Sequence, residues 1–416
     1  MFRALMVVLL SVSSLVQAAK QPSLNPAEYK QLTAVQTLIG EEKWKAARTA
    51  LYKQQETMTR PYANALRLQT LGQVELQLDR YPQALKAFRT AYKLAVLDEA
   101  QQLQLLHLRG QLQLSQENWK TGAALLEQWL VEVARSEKSG ALAQAKGADG
   151  KPLASRIKAD DYLWLAQAYS QQDKWRKTID RIRVALKMRR NAPENWHQLE
   201  LAGHLNRKSW KSALTVLRRL VQMNPSEKYW SQIASLQLQL KRNRQALATL
   251  RVAHELGYLK KGSNQKLLAQ LMLQQGMPYQ AATLLDGAMA RKKIKRSNSN
   301  LRLVASAWSQ AREQDEALSS LLALAKRKPD AMLLGRIARL QVHQQKWSAA
   351  EKTLQQALKL KAKNPERLLL LQGIARVRME RLDDARRSFT QAQQYTDARG
   401  VAESWLQYLT QIEQSS

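Results

Sequence analysis

Five histidines, His107, His197, His204, His254 and His343, are the side chains of this 416-residue sequence best suited to proton transfer or metal binding, and their spacing supports neither. His197 and His204 are seven residues apart, and on one helix two turns would separate them by about 10 Å, too far to share a metal ion. Cysteine is absent, which removes thiol nucleophiles, disulfides and Cys-ligated zinc or iron–sulfur centres. No HExxH, GxSxG or phosphate-cradling loop occurs. The acidic pairs Asp160–Asp161 and Asp383–Asp384 fall where helices are expected to start or to connect, and the helix dipole with capping accounts for them there. With no constellation of acid, base and nucleophile, no metal set and no cofactor fingerprint, the sequence reads as that of a non-enzymatic protein.

Recognition by hydrogen bonding and charge remains, and it needs elements to carry it. Leu, Ala, Gln, Lys and Arg abound beside only 15 Gly and 3 Phe, a composition that suits packed helices better than a sheet. Hydrophobic residues make up 45% of the chain, enough to build a core despite a formal charge of +32. Aligned on itself, the chain repeats. A small residue returns at Ala47, Ala84, Gly122, Thr178, Ala213, Ala246, Ala281, Ala317, Ala350 and Ala385, at spacings of 33 to 38 with one of 56. Twelve residues before each stands a second position, Val35, Gly72, Gly110, Ala166, Leu201, Ala234, Ala269, Ala305, Ala338 and Gly373, where eight are Ala or Gly. Four residues after the first position comes a large apolar side chain: Leu51, Phe88, Leu126, Ile182, Leu217, Leu250, Leu285, Leu321, Leu354 and Phe389.

Antiparallel helices approach to about 8 Å only where the crossing side chains are small. Each repeat is therefore predicted to be a helix pair, with helix A carrying one small residue, helix B opening with the other, and the large apolar residue facing the core one turn later. Trp44, Tyr81, Trp119, Trp175, Trp210 and Trp347 mark the turn between the two. Asn25-Pro26-Ala27-Glu28 and Asn224-Pro225-Ser226-Glu227 read as helix starts, with Asn at the cap, Pro next and Glu three residues after the cap. Pro193, Pro329 and Pro365 fall within one residue of the same phase.

This pattern resembles the tetratricopeptide repeat from about Glu28 to Gln394, most closely in Leu68-x2-Leu71-Gly72 … Ala84-x3-Phe88-x2-Ala91 and in Tyr162-x2-Leu165-Ala166-x2-Tyr169. The resemblance implies an all-α fold, a right-handed superhelical solenoid of about ten helix pairs with a C-terminal capping helix. Gln31, Ala34 and Val35 in the first repeat, and Glu200 and Leu201 in the fifth, depart from it and predict irregular helices. The organisation expected is three pairs over residues 19–134, an insertion over 135–158, seven pairs over 159–394 and a capping helix over 395–416 that covers the open apolar end. The insertion, with Gly140, Gly147 and Gly150, reads as a passive surface loop or a hinge between the two blocks.

In the family resembled, helix A lines a concave groove. The matching positions are Gln69, Gln73 and Gln111, then Gln167, Gln171, Gln198 and Asn206, then Gln239, Gln270, Gln274, Arg302 and Gln310, with His107 in the same phase. Such a polar, largely uncharged surface suits hydrogen bonding to an extended or helical peptide. Trp164, Trp196, Trp230 and Trp308 also fall in helix A and are candidate anchors.

Charge is uneven along the chain. Residues 20–173 carry 20 basic against 16 acidic side chains, residues 174–300 carry 26 against 6, and residues 301–416 carry 19 against 12. In the middle stretch Arg176, Lys211 and Arg244 share one repeat phase and Arg183, Arg218 and Arg251 another, which predicts a two-row basic stripe on the outer side of helix B. Arg291-Lys292-Lys293-Ile294-Lys295-Arg296 extends it at a loop. Aromatic side chains do not interleave with these cations, so no nucleic-acid partner is expected; anionic lipid, lipopolysaccharide or an acidic protein fits better.

The first residues, MFRALMVVLLSVSSLVQAAK, read as a signal peptide over 1–18, cleaved after Ala18, and so as export; an uncleaved anchor or a buried first helix is the other reading. Ser404-Trp405-Leu406-Gln407-Tyr408-Leu409, Leu125-Leu126-Glu127-Gln128-Trp129-Leu130, Glu194-Asn195-Trp196-His197-Gln198-Leu199 and Gly276-Met277-Pro278-Tyr279-Gln280-Ala281-Ala282 are similar to segments of one exported tetratricopeptide family of Gram-negative bacteria. That family is found beside the ExbB, ExbD and TonB energy-transducing complex. The resemblance implies a periplasmic accessory to it with protein partners.

Overall fold

A computed structural model describes residues 23–139 and 157–415. The expected signal peptide and most of the expected insertion lie outside the described residues. Among those residues the chain forms 21 helices and no strand, and it divides into two compact units, residues 1–224 and 225–416.

The first unit holds five consecutive helix pairs: α1 (Pro26–Gly40) with α2 (Trp44–Lys53), α3 (Pro61–Gln77) with α4 (Tyr81–Lys93), α5 (Glu99–Ser115) with α6 (Trp119–Lys138), α7 (Ala159–Ser170) with α8 (Trp175–Met188), and α9 (Glu194–Asn206) with α10 (Trp210–Met223). The second holds α11 (Glu227–Gln239) with α12 (Asn243–Glu255), α13 (Gly262–Gln274) with α14 (Pro278–Ala290), α15 (Asn298–Gln310) with α16 (Gln314–Ala325), α17 (Ala331–His343) with α18 (Trp347–Lys359), and α19 (Pro365–Val377) with α20 (Leu382–Gln393). A last helix, α21 (Arg399–Ser415), buries Ala402 and Leu409 against α20, and Trp405 stacks on Phe389 at 5.4 Å between ring centroids.

The small positions do what their spacing predicts. All ten on helix B are buried, as are the ten large apolar side chains one turn later. Helix A approaches helix B where it lacks a side chain: a Cβ added to Gly110 would sit 2.7 Å from the Leu126 side chain, and one on Gly72 or Gly373 would collide with the ring of Phe88 or Phe389. The second, third and tenth pairs thus lock a large residue of helix B over a bare patch of helix A.

Helix A passes to helix B by one turn used ten times. Two residues before each helix B stands a left-handed residue, from Glu42, Asp79 and Glu117 through Gly276 to Gln345 and Glu380. The next residue donates its N–H back to the last turn of helix A, as Arg80 does to Glu75 O at 2.8 Å and Arg242 does to Gln237 O at 2.8 Å. This is the Schellman closure, and it satisfies the carbonyls at the end of helix A. Trp44, Tyr81, Trp119, Trp175, Trp210 and Trp347 are then the first residues of their helices.

Three expectations are corrected. The helices expected to be irregular, α1 and α9, are continuous; Glu200 is accommodated inside α9 because arginines from both neighbouring helices reach it. Asn25 caps α1 through a full capping box with Glu28, but Asn224 does not cap α11. Ser226 takes that place, the Asn224 amide donates to Glu194 at 2.9 Å, and Glu227 accepts from the Lys261 N–H and the Asn264 amide. The third pair does not stop at 134: α6 continues to Lys138 because Val133 and Ser136 are buried and the Ser136 hydroxyl donates to Glu99. The described helices on either side of the expected insertion stay in contact. Leu114, Ala123 and Leu126 before it share one apolar cluster with Leu165, Ala168 and Tyr169 after it, so the fourth pair packs on the third within one unit.

Gly110→Val should destabilise the protein by about 1–3 kcal/mol, because Leu126 has nowhere to move. Gly40→Ala, at a helix position with no neighbour within 4 Å, should be neutral or slightly stabilising. Urea unfolding followed by helical circular dichroism checks both, and equal midpoints for the two variants would contradict the bare-patch contact.

Candidate partner-binding groove

The helix A positions expected to form a recognition surface divide by accessibility. Gln73, Gln111, Gln167 and Gln198 are half-buried, while Gln171, Asn206, Gln239, Gln270, Gln274, Arg302 and Gln310 are exposed. Gln69 is 4% exposed and lines no surface, because α3 is covered by α1, α2 and α4. Several of the rest turn back on their own helix: Gln198 donates to Glu194, Asn206 to the Ala202 carbonyl and Gln310 to Ser306. Arg302 pairs with Asp330 at 3.4 Å. Of the four helix A tryptophans, Trp196 and Trp308 are buried, the latter donating to Asp286 at 2.6 Å; Trp164 and Trp230 are half-buried.

The most organised part of this surface is in the first unit and centres on His107. Its Nε2 lies 2.6 Å from Asp161 Oδ1, and its ring stacks on Trp129 at 4.0 Å and 19°. Trp164 stands at 6.3 Å, and the Gln111 amide reaches the same imidazole nitrogen at 3.2 Å. Asp161 is buried at the third position of α7, where it also accepts the Lys158 N–H at 2.8 Å. A side chain of α5 is thus held by the start of α7 and by α6, leaving 22% of the imidazole open beside Gln111. Sequence reading placed His107 and Gln111 in one phase but missed the partnership with Asp161. The two are 54 residues apart across the insertion, and a carboxylate at a helix start is accounted for by capping alone.

Two further carboxylates organise the unit without opening to a ligand. Glu127 of α6 accepts from Arg181 of α8 at 2.8 Å and from the Tyr169 hydroxyl of α7 at 2.9 Å. Burial, then the Glu127 hydrogen bond, pushes the Tyr169 phenol up to about 12. Glu200, 5% exposed, lies between Arg183 of α8 at 3.1 Å and Arg219 of α10 at 3.5 Å, and His204 is 3.8 Å away. His204 faces this carboxylate, while His197 lies 3.4 Å from Arg219, which reaches the same carboxylate. Burial, reinforced by Arg219 for His197 and by Arg183 for His204, holds both imidazoles below the ordinary value of 6.5. Among the described residues no group of three or more His, Asp or Glu is placed to hold a metal ion.

The expected basic stripe is only partly available. Arg176, Lys211 and Arg218 in the first unit and Arg244 in the second are exposed. Arg183 and Arg251 are exposed as well, but Arg183 bonds to Glu200 and His204, and Arg251 lies 3.8 Å from Glu255. Arg183 thus sits at the contact between two pairs, where a buried carboxylate recruits it.

No protein-family model matches the chain, and no curated protein sequence matches it. Solved structures that align with it are tetratricopeptide repeat proteins. One is a tetratricopeptide repeat protein from Parabacteroides merdae, 13% identical over 61% of this chain and 98% of its own, with a TM-score of 0.32. Another is YrrB, described as having an unusual peptide-binding site, 15% identical over 42% of this chain and 89% of its own, with a TM-score of 0.32. The anaphase-promoting complex assembly of Cut9 with Hcn1 aligns over 93% of this chain and 96% of its own at 13% identity, with a TM-score of 0.27. At these scores the fold rests on the helix pairs themselves.

Because both imidazoles titrate below 6.5 in the folded chain, the unfolded chain takes up protons first as pH falls, and stability is lost from about 6.5 downward until the folded rings protonate too. Thermal unfolding by circular dichroism should show a steeper loss between about pH 7 and pH 5 in the wild type than in His197→Gln/His204→Gln. Parallel pH profiles would show that these rings contribute nothing to the dependence.

Proposed function

We propose that this protein is an exported, non-enzymatic scaffold that holds a protein partner against the helix A faces, acting in the periplasm as an accessory of an ExbB/ExbD/TonB energy-transducing system. The observation that carries the binding role is the ledge at His107. An imidazole and an amide are fixed in position by Asp161 and Trp129, partly open, and flanked by the half-buried Trp164. Polar groups held in place beside an aromatic face lose little freedom when they engage a peptide segment. Support for export comes from the amino-terminal sequence, and support for the TonB association from the segments quoted for that resemblance.

Pull-down from an envelope extract should recover a protein with the wild-type chain and recover at least about tenfold less with Gln111→Ala/Trp164→Ala, a loss of the size expected for truncating an interface anchor. Equal recovery would remove the ledge from the interface. Recovery of partners other than ExbB, ExbD, TonB or an outer-membrane receptor would remove the TonB assignment while leaving the scaffold role intact. Cell fractionation with amino-terminal sequencing tests export directly, with Ala19 as the expected first residue.

A second reading is an envelope polyanion binder, active in lipopolysaccharide or outer-membrane assembly. The exposed cations Arg176, Lys211, Arg218 and Arg244 favour it. Its binding would weaken steeply with salt, whereas an uncharged ledge would be nearly indifferent to it.

A further inference from the structure

The loops that join one helix pair to the next in the second unit lie side by side. The backbone of Lys293, in the loop after α14, sits so close to Gly262 at the start of α13 that a Cβ there would strike its carbonyl. Arg327, after α16, donates to Asn298 at the start of α15 at 3.2 Å, and a Cβ on Gly335 of α17 would touch Leu368 of α19 at 3.1 Å. These contacts place four successive loops along one edge.

That edge is densely basic. Lys260 and Lys261 follow α12; Arg291, Lys292, Lys293, Lys295 and Arg296 follow α14. Lys326, Arg327 and Lys328 follow α16, while Lys359, Lys361 and Lys363 surround the end of α18. All of these residues are exposed, and among the described residues none forms an ion pair. Of the carboxylates nearby, Asp330 caps α17 and pairs with Arg302, and Glu227 accepts from Lys261 N and Asn264. Cations at the end of helix B complement its dipole, which would explain Arg291, Lys326 and Lys359 by folding alone. Lys261, Arg296 and Lys363 stand instead at or next to the caps of α13, α15 and α19, where the dipole favours anions, so helix stability does not account for them.

The same edge exposes large apolar side chains, which soluble polyanions do not require. Met332, in the first turn of α17, is 79% exposed; Leu256, ending α12, is 61% exposed; Leu360, between Lys359 and Lys361, is 47% exposed. The four loops carry no exposed aromatic ring on which a base would stack. Lysines in a row with apolar tips between them match a bilayer surface, where headgroup phosphates meet the cations and the acyl boundary receives the tips. Among the described residues no helix is long and apolar enough to cross a membrane, so the contact is peripheral.

We propose that the inter-pair loop edge of the second unit docks this protein on an anionic phospholipid bilayer, with Leu256, Met332 and Leu360 entering the interface. This deepens the polyanion reading, on which it rests, by moving the contact from the helix B stripe to the loop edge; it is independent of the scaffold reading.

Flotation of the full chain with phosphatidylcholine vesicles, with and without phosphatidylglycerol, tests it. Neutral vesicles set the baseline for binding without headgroup charge. Binding to anionic vesicles should exceed that baseline and fall about tenfold or more in Lys292→Gln/Lys293→Gln/Lys295→Gln/Arg296→Gln, since each cation near the surface contributes. Leu256→Ser/Met332→Ser/Leu360→Ser should retain binding at low salt and lose it at high salt, because the apolar part resists screening. Arg176→Gln/Lys211→Gln/Arg218→Gln should lose less binding than the loop variant. Circular dichroism confirms that each variant is folded, a mild demand because every substituted residue is exposed. Loss of binding in the stripe variant but not the loop variant overturns the loop edge and retains the polyanion reading. No binding above baseline overturns docking altogether, and tighter binding to single-stranded DNA or an acidic peptide than to vesicles replaces the bilayer with a soluble polyanion.

Discussion

Everything in this chain depends on one contact, a bare patch on helix A pressed by a large apolar side chain of helix B. Where Phe88 covers Gly72, Leu126 covers Gly110 and Phe389 covers Gly373, the two helices come close enough to exclude water along the seam. The contact leaves the opposite side of helix A and the outer side of helix B to carry polar residues. It makes a chain with 66 Lys and Arg compatible with a dry core, because charge is confined to faces that the seam does not use.

The seam was legible because it obeys spacing. Small residues twelve apart with a large one four further on can be counted along the sequence, and they give pair number, helix type and core-facing side together. The pair-to-pair contacts obey no such rule. Glu200 looked like a defect in helix A and is instead the acceptor for Arg183 and Arg219, so one residue accounts both for an apparent irregularity and for the pairing of an expected surface cation. His107 and Asp161 meet only because α7 packs back on α5 and α6 after the insertion, which no local pattern encodes. Gln69 fell in the right phase for an open face and is buried because neighbouring helices cover α3.

Carboxylates serve the first unit as rivets between pairs. Buried Glu75 accepts from Arg48 at 3.0 Å and from the Tyr52 hydroxyl at 2.9 Å and forms an ion pair with Arg80 at 2.8 Å; half-buried Glu127 and buried Glu200 gather arginines further along. Each draws an arginine from a neighbouring helix or turn. Removing one partner of such a set costs about 3–5 kcal/mol when it strands a buried charge, far more than a surface ion pair at about 0.2–1 kcal/mol. Five arginines, Arg48, Arg80, Arg181, Arg183 and Arg219, are thus paired while still a third to a half exposed, and the unpaired cations are fewer than the sequence total suggests.

The ten left-handed turns have a consequence of their own. Their six-residue closure fixes the distance along the chain from one small position to the next at twelve residues in every pair, while the distance from one pair to the next varies from 33 to 56. Within each unit one rim is therefore nearly fixed in length and conformation, and the other can lengthen, shorten or change sequence without disturbing a seam. New binding chemistry can be written on that second rim at little cost to folding, and in the second unit its loops carry a dense run of lysines.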